Sequence, residues 1–255
     1  MRGPGIWLRG IGGLSMAFLY LPIVVLVLFS FNASRLSATW QGFSWEWYGA
    51  LWRDEALMAA TASSLLVAAL STTLVLLLGV PAAMGLERLR GRGRRALEVI
   101  FLLPLVLPEV MMGVALLLFF VMMQWPLSVA TVVIGHAAFN LPVVIVMVRA
   151  RLHKLDPRLE EAAHDLGASA WQTFRRITWP LLRPAVLGAA LLAFTISLDD
   201  FIVTFFVAGP GATTLPLKVY SMIKSGLSPE INALSSVLVL LSMGLVGLSF
   251  VFQRR

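Results

Sequence analysis

Residues 158–180 read RLEEAAHDLGASAWQTFRRITWP, a polar segment between two strongly apolar parts of the chain. It lies within a 36-residue polar interval, residues 149–184, in a protein of only 255 residues. A short membrane protein has little reason to keep so long a polar interval unless the interval binds a partner. What it can bind depends on the side of the membrane that it faces, which the surrounding sequence indicates.

The composition of the chain is that of an integral membrane protein. Its residues are 59% hydrophobic and only 13% charged, whereas soluble domains are about 45–50% apolar and about 25% charged. The absence of cysteine excludes a disulfide framework, a thiolate metal site and a cysteine nucleophile. His136, His153 and His164 do not have the spacing of metal ligands, so we expect no metal site.

The apolar runs predict six transmembrane helices, since one span needs about 20 mostly apolar residues. A turn at residues 124–126 separates the third span from the fourth, and Pro104, Pro108 and Pro142 predict kinks within spans. The first run exceeds the roughly 7–15 residues of a signal-peptide core, so we expect it to remain as a span. We predict an all-α integral membrane protein with a single domain, residues 1–255, and helices near 12–31, 57–85, 99–123, 127–149, 185–207 and 232–252.

The lysines and arginines predict the orientation, because they resist translocation and accumulate in cytoplasmic loops. Of the 20 basic residues, four fall on one side of the predicted membrane and all the others on the side of the two termini. Both termini and residues 149–184 are therefore predicted to be cytoplasmic. The net charge of +7 reflects this topology rather than nucleic-acid binding, and we expect the arginines of residues 88–95 to lie among anionic lipid headgroups. The four basic residues on the other side are Arg35, Arg53, Lys218 and Lys224.

The first loop on that other side, residues 32–55, is rich in aromatic residues. Such residues anchor segments in the membrane–water interface, although contact with an external partner remains an open alternative. The aromatic residues are Trp40, Phe43, Trp45, Trp47, Tyr48 and Trp52.

The polar segment itself predicts two short helices separated by Gly167. Asp156 and Pro157 can begin the first helix, Gly167 can end it, and Ser169 can cap the second. Pro180 predicts a bend after them. On these residues alone, insertion into a groove of a partner and anchoring at the membrane surface are both open. The small-residue face that could enter a groove consists of Ala162, Ala163, Leu166 and Ala170.

The spacing of the segment resembles the EAA motif of binding-protein-dependent ABC importer permeases. In that family the motif forms a coupling helix that sits in a cleft of a cytoplasmic ATPase. The resemblance implies a type I ABC importer permease fold and assigns residues 156–180 as the coupling segment. Trp179 stands where the family usually has leucine. The residues that carry the resemblance, and that it implies are ATPase-coupling residues, are Glu161, Ala162, Ala163, Gly167, Ile177 and Pro180.

Further stretches resemble one permease subunit of spermidine/putrescine importers. They are LPIVVLVLFSFNASR (21–35), WQGFSWEWYGAL (40–51), LPEVMMG (107–113) and residues 197–234. The resemblance implies a multi-pass protein of the bacterial inner membrane that forms half of a polyamine pathway. It also implies a second permease chain, identical or different, two ATPase subunits and an external substrate-binding protein as partners. An ABC permease for another small solute, such as an amino acid or an opine, is the alternative.

Three carboxylates fall within predicted spans, and they are candidates for the substrate pathway. A charge at the bilayer centre costs at least about 2.5–3.5 kcal/mol, so each should face a cavity, a partner or the interface. Carboxylates would offset the desolvation of a polyamine's ammonium groups. Because neighbours on a helix point about 100° apart, Asp199 and Asp200 cannot both line one narrow path, and Asp200 is favoured over Asp199 and Glu109. His136 and Asn140 lie one turn apart and could add a polar strip, with structural hydrogen bonding as the alternative.

Other functional classes fit the sequence less well. The chain has no G-x-x-x-x-G-K-[ST] sequence, so it cannot hydrolyse ATP by that chemistry. We therefore expect no catalytic residues and no cofactor in this chain, with ATP and Mg²⁺ bound by the partner ATPase. An intramembrane enzyme would need acids that converge, whereas Asp199 and Asp200 diverge. A proton-coupled secondary transporter would leave the long basic interval of residues 149–184 without a role.

Overall fold

The computed structural model describes residues 6–34, 39–226 and 229–253, in which the regular elements are helices together with an isolated bridge between Asn32 and Phe43. Arg2, Arg35, Arg254 and Arg255, which contribute to the predicted orientation, lie outside the described residues. A 3₁₀ turn, Leu103–Leu105, follows α4, and a π-helical turn, Phe174–Thr178, joins α8 to α9. The α-helices are α1 (Ile6–Phe29), α2 (Glu46–Arg53), α3 (Glu55–Arg88), α4 (Arg92–Leu102), α5 (Glu109–Met122), α6 (Val129–Leu152), α7 (Arg158–Asp165), α8 (Ala170–Thr173), α9 (Trp179–Asp199), α10 (Ile202–Val207), α11 (Leu215–Ser225) and α12 (Pro229–Gln253).

The described helices confirm the predicted all-α membrane character. A bent pair of helices, Arg92–Leu105 with Glu109–Met122, would add one span to the four given at the end of this paragraph if the pair crosses the membrane as a unit. α12, which has 25 residues, lies at the place of the sixth predicted span. The count of six spans and the orientation of the termini stay predictions. Within the described ranges, the segments long and apolar enough to cross a membrane are Gly10–Phe29, Glu55–Arg88, Val129–Leu152 and Ala170–Asp199.

The third predicted span, near 99–123, is two helices rather than one, and the break lies at the prolines where the sequence predicts kinks. α4 ends at Leu102, and α5 begins at Glu109 after a break that bends the two by 107°. Pro104 and Pro108 cause the break, because proline removes a backbone donor and disfavours helical backbone in the residue before it. Pro142, in contrast, lies inside α6 without ending that helix.

The chain divides into two compact units, and the larger one, Ala60–Leu217, contains the polar segment. Its core lies among α3, α6 and α9, whose facing residues are aliphatic and small. Alanines at Ala137, Ala189 and Ala193 are almost completely buried there. A Cβ atom added at Gly79 would lie 2.8 Å from Val144 Cγ1, which shows how closely α3 approaches α6. Small residues permit such close packing of helices in membranes.

The smaller unit, Met1–Ala59 with Lys218–Arg255, contains the aromatic loop. The ring of Phe31 lies 5.2 Å from that of Phe43 and 4.8 Å from that of Trp45. Trp40, Phe43, Trp45 and Trp52 are exposed. This arrangement is compatible with an interfacial loop, as the sequence predicts, and it leaves an external partner open.

Asp54 links the end of α2 to the start of α3 within this smaller unit. Burial acts to raise the pKa of Asp54. The backbone N–H of Leu57, which donates to Asp54 Oδ1, and the charge of Lys218, whose Nζ lies 3.5 Å from Asp54 Oδ2, outweigh this effect and hold the pKa below its ordinary value. The stabilisation from this carboxylate is therefore present above its unfolded-state pKa and is lost as the pH falls through the lowered one.

Candidate functional site

The polar segment folds as a helix–glycine–helix element, as the sequence predicts. The backbone N–H of Arg158 donates to Asp156 Oδ1 at 3.0 Å and helps to begin α7. Gly167 has φ +81°, and its N–H donates to the carbonyl of His164 at 2.9 Å, while that of Ala168 donates to the carbonyl of Ala163 at 3.0 Å. This is a Schellman ending, in which the left-handed residue is usually glycine because a Cβ would strain the backbone.

The second half of the segment begins with a capping box and continues into a long helix. Ser169 N–H donates to Gln172 Oε1 at 2.8 Å, and Gln172 N–H donates to Ser169 Oγ at 3.4 Å. α8 then passes through the π-helical turn, which includes Ile177, into α9. Pro180 therefore lies in the first turn of α9 rather than at a bend. The N–H of Trp179 donates to the carbonyl of Phe174, five residues back, which replaces the usual four-residue bond before the proline.

The side chains of α7 divide between an outer face and an inner face. Glu161, Ala162 and Gly167 are exposed, and Leu166 is 89% exposed. Ala163 is buried, so the predicted small-residue face of Ala162, Ala163, Leu166 and Ala170 is wrong in that one member. The reason is the helical period, which turns Ala163 toward the protein when Glu161 and Ala162 face outward.

The inner face of α7 is fixed to the start of α9. Thr178 Oγ1 donates a hydrogen bond to Glu160 Oε1 at 2.5 Å. A cavity of about 290 Å³ lies beside this contact, between α7 and the ends of α3 and α6. α7 is therefore held at a few points rather than packed along its whole length. The polar residues that line the cavity are Glu87, Arg88, Asp156, Glu160 and Thr178.

A second group of polar residues lies buried among the apolar helices. His136 has no exposed surface, and its Nδ1 lies 2.6 Å from Ser197 Oγ. Its Nε2 lies 2.9 Å from Thr204 Oγ1 and 3.1 Å from Asp200 Oδ2. Ser197 Oγ is in turn 3.0 Å from Ser71 Oγ. The network joins α3, α6, α9 and α10, and we call these five residues the His136 network.

Asp200 interrupts the fifth predicted span, so the prediction of one helix near 185–207 is wrong. α9 ends at Asp199, Asp200 is extended with ψ 125°, and α10 begins at Ile202. The Asp200 carboxylate accepts hydrogen bonds from Val203 N–H at 3.3 Å and from Thr204 N–H at 2.9 Å. Aspartate is a preferred residue for capping the start of a helix in this way.

The candidate acids differ in accessibility. The Asp200 side chain is only 6% exposed and is bonded to protein groups, whereas Asp199 and Glu109 are exposed in this chain. The 100° argument does not apply, because Asp199 and Asp200 do not share one helix. Asn140, one turn from His136, donates to the carbonyl of Ala193 at 3.4 Å, and its buried Oδ1 has no partner among the described residues.

The sequence reasoning missed two members of the His136 network. It did not name Ser71 or Thr204. Each is a single hydroxyl in an apolar stretch, and only the position relative to His136 distinguishes it from other such residues. Within residues 6–34, 39–226 and 229–253, no three His, Asp or Glu side chains form a group that could hold a metal ion.

Known proteins resemble this chain over most of its length. The family model described as "Binding-protein-dependent transport system inner membrane component" matches residues 75–255. The putrescine transport system permease protein PotI of Escherichia coli (strain K12) is 44% identical over 241 residues, which cover 92% of this chain and 85% of that protein. The spermidine/putrescine transport system permease protein PotC of Haemophilus influenzae is 40% identical over 239 residues, 94% of this chain and 93% of that protein.

A solved structure resembles the fold. A chain of a bacterial ABC transporter involved in the import of the acidic polysaccharide alginate superposes with a TM-score of 0.71, covering 100% of this chain and 99% of that one. The sequence identity is 18%, so this likeness shows the fold alone.

Proposed function

We propose, because this chain belongs to the family of binding-protein-dependent transport system inner membrane components, that it is the permease subunit of an ATP-driven importer of putrescine or spermidine. The observation that carries the proposal is the 44% identity with a putrescine permease across 92% of this chain. An alignment that covers 92% of the chain spans both the polar segment and the helices around the His136 network. The chain is a transport component and not an enzyme.

We infer a six-span topology with both termini in the cytoplasm. The bent pair of α4 and α5 supplies the third span, and α12 supplies the sixth. The distribution of lysine and arginine supports this orientation. It places residues 156–180 on the cytoplasmic side, where an ATPase can reach them.

The exposed face of α7 is the proposed contact with the ATPase. Glu161, Ala162 and Gly167 are all exposed, and Leu166 and Trp171 add apolar side chains that are 89% and 66% exposed. Large exposed apolar side chains on a short polar helix favour a protein partner. The Schellman ending at Gly167 and the Ser169 capping box set the angle between α7 and α8, which supports a preformed contact surface.

Movement of α7 would reach the membrane through one continuous helical segment. Residues Ala170–Asp199 form a 30-residue segment, which at about 1.5 Å per residue is about 45 Å long. The coupling segment therefore lies at one end of this rod, and the break at Asp200 lies at the other. Closure of two ATPases around ATP and Mg²⁺ would displace α7 and so shift Asp199 relative to α6, which holds His136.

The exposed acids are the proposed pathway residues of this chain. Asp199 and Glu109 can face a passage shared with the second permease chain, whereas the Asp200 carboxylate is engaged in capping α10. Carboxylates at the rim of a passage attract the ammonium groups of a polyamine without burying an unpaired charge. His136 and Asn140 are proposed to shape the passage by holding α6 against α9.

Trp179 provides a test of whether this position of the coupling segment serves packing alone or is needed for ATP-driven uptake. Its ring is partly buried, packs against the α3–α6–α9 core and lies 6.1 Å from the ring of Phe174. Trp179→Leu restores the family's usual residue and removes packing volume, for a stability loss of about 2 kcal/mol at most. We expect uptake within about twofold of the wild type once protein levels are matched, because a packing change that leaves the contact with the ATPase intact should alter the barrier to transport by no more than about 0.4 kcal/mol. A complete loss of uptake in a well-folded variant would contradict the packing role.

The proposed function is tested by reconstituting the chain with its second permease, ATPases and binding protein in proteoliposomes. Putrescine or spermidine uptake should require ATP inside the vesicles and should survive an ionophore that collapses the proton gradient. Unlabelled polyamines should compete, whereas amino acids and sugars should not. Uptake driven by the gradient would contradict an ABC importer. Transport of only a non-cationic solute would contradict the polyamine substrate and leave the ABC assignment intact.

A further inference from the structure

The junction between α3 and α4 carries a dense group of arginines. Arg90 lies in the link between the helices, and Arg92 and Arg95 lie in the first turn of α4. These three are exposed and have no hydrogen bond or ion pair within the described ranges of the chain. They surround an open hollow of about 540 Å³, which we call the arginine hollow. The hollow is lined by Arg90, Gly91, Arg92, Arg94, Arg95 and Glu98.

Glu98 does not neutralise the arginine hollow. Its Oε1 lies 3.1 Å from Arg94 Nε and 2.7 Å from Arg149 Nη2, so two guanidinium groups already share it. Arg149 in turn has its Nε 2.6 Å from Glu87 Oε1. The charges of Arg90, Arg92 and Arg95 therefore remain without a counterion from the described protein.

The backbone at this junction adds to the positive potential. Gly91, with φ +79°, lets α4 begin directly at Arg92. The first turn of α4 contains no acidic residue, and no side chain caps it in the part of the chain that the structure describes. The free N–H groups of a helix start carry a partial positive charge, and here they lie beside the unpaired guanidinium groups.

An apolar surface continues from the arginine hollow along α4. Val99 and Ile100 are 65% and 63% exposed, and Leu103 is 50% exposed. Ile100 lies eight residues beyond Arg92, about 12 Å along the helix axis. The headgroup region of one leaflet is roughly 5–8 Å thick. A lipid whose phosphate lies at the arginines can therefore place its acyl chains against these side chains.

We propose that the arginine hollow is a binding site for an anionic phospholipid, with the phosphodiester held by Arg90, Arg92 and Arg95. The acyl chains would lie along Val99 and Ile100. Guanidinium groups bind phosphate oxygens with paired hydrogen bonds. The adjoining apolar face selects a lipid rather than a free phosphate, because a soluble anion would leave that face without a partner. The bound lipid contacts both Arg90 in the link between α3 and α4 and the arginines in the first turn of α4. It therefore stabilises the start of the bent pair of α4 and α5.

The test is the affinity of the assembled transporter for phosphatidylglycerol relative to phosphatidylcholine, measured by native mass spectrometry after release from nanodiscs. We expect Arg92→Gln with Arg95→Gln to lower this ratio roughly thirtyfold, since each arginine near an anionic surface contributes about 1 kcal/mol and about 1.4 kcal/mol corresponds to tenfold. The matched control is Arg53→Gln with Lys224→Gln, which removes two positive charges elsewhere and should leave the ratio unchanged.

A third variant guards against loss of folding or orientation. Arg92→Lys with Arg95→Lys keeps the positive charges, and we expect it to retain most of the preference, because lysine still binds phosphate as a point charge. An unchanged ratio in the glutamine variant, or an equal loss in the control, would overturn the site. Loss of the preference on adding millimolar inorganic phosphate at constant ionic strength would overturn the lipid and assign the hollow to a free phosphate.

Discussion

Replacing Gly167 by valine is expected to reduce ATP-driven uptake at least tenfold while the protein stays folded in the membrane. Apart from its two chain neighbours, no described residue has a heavy atom within 4 Å of the position that a Cβ would occupy, so an added Cβ meets no steric clash there. The backbone, however, has φ +81°, and the left-handed conformation costs an L-residue about 1–2 kcal/mol. Relief of that strain would change the angle between α7 and α8 and misplace Glu161 and Ala162. Uptake and substrate-stimulated ATP hydrolysis of the reconstituted complex measure the effect.

Gly211 offers a control that matches Gly167 in backbone and surroundings. It has φ +78°, and among the described residues other than its chain neighbours no heavy atom lies within 4 Å of its Cβ position. Gly211→Val introduces the same strain far along the sequence from the coupling segment, and we expect uptake to stay close to that of the wild type. Gly167→Asn should retain much of the uptake activity that Gly167→Val loses, because asparagine tolerates the left-handed conformation. Equal losses in the two valine variants would mean that the strain, and not the contact surface, is responsible.

Replacing Asp200 by alanine is expected to have the largest effect on stability. The substitution removes the cap of α10 and leaves His136 Nε2 without its carboxylate neighbour in a site with no exposed imidazole surface. A buried polar group left without its hydrogen-bond partner costs about 1–3 kcal/mol, and loss of a helix cap adds about 1 kcal/mol. We expect a marked fall in the melting temperature of the purified complex, with uptake lost in proportion to the folded protein.

Two further variants separate the structural role of Asp200 from contact with substrate. Asp200→Asn keeps a good capping residue and should preserve more of the stability than alanine does. Asp199→Ala removes the exposed neighbouring carboxylate and should leave the melting temperature nearly unchanged while raising the KM for polyamine. If Asp200→Asn were fully stable and yet failed to transport, Asp200 would contact the substrate. If Asp199→Ala were as unstable as Asp200→Ala, the division of roles would be wrong.

The local features of the coupling segment could be predicted from sequence, because each depends on neighbouring residues. Gly167 ends α7, and Ser169 caps α8, through hydrogen bonds that span only a few residues. The same short-range rules place Pro104 and Pro108 at the break in the third span. The burial of Ala163 was not predicted, since it depends on which face of α7 meets the π-helical turn before α9.

The break at Asp200 could not be predicted with the same rules. A carboxylate in an apolar run is compatible with a continuous helix, and no proline or glycine marks this position. The partner that stabilises the break is His136, 64 positions earlier in the chain, and the contact exists only because α6 packs against α9. Ser71, which is still farther from Ser197 in sequence, was missed for the same reason. Long-range pairing of polar groups inside apolar helices leaves no periodic signal.

The central claim, that α7 contacts the ATPase, is tested most directly by cross-linking from a single cysteine. The natural chain contains no cysteine, so Ala162→Cys and, as a control, Thr213→Cys each provide one exposed thiol. A thiol-to-amine reagent is applied to the assembled transporter with and without ATP. We predict a cross-link from Ala162→Cys to the ATPase subunit, with a yield that changes on ATP binding, and none from Thr213→Cys. An absent cross-link from a well-labelled Ala162→Cys, or equal yields from both positions, would contradict the account.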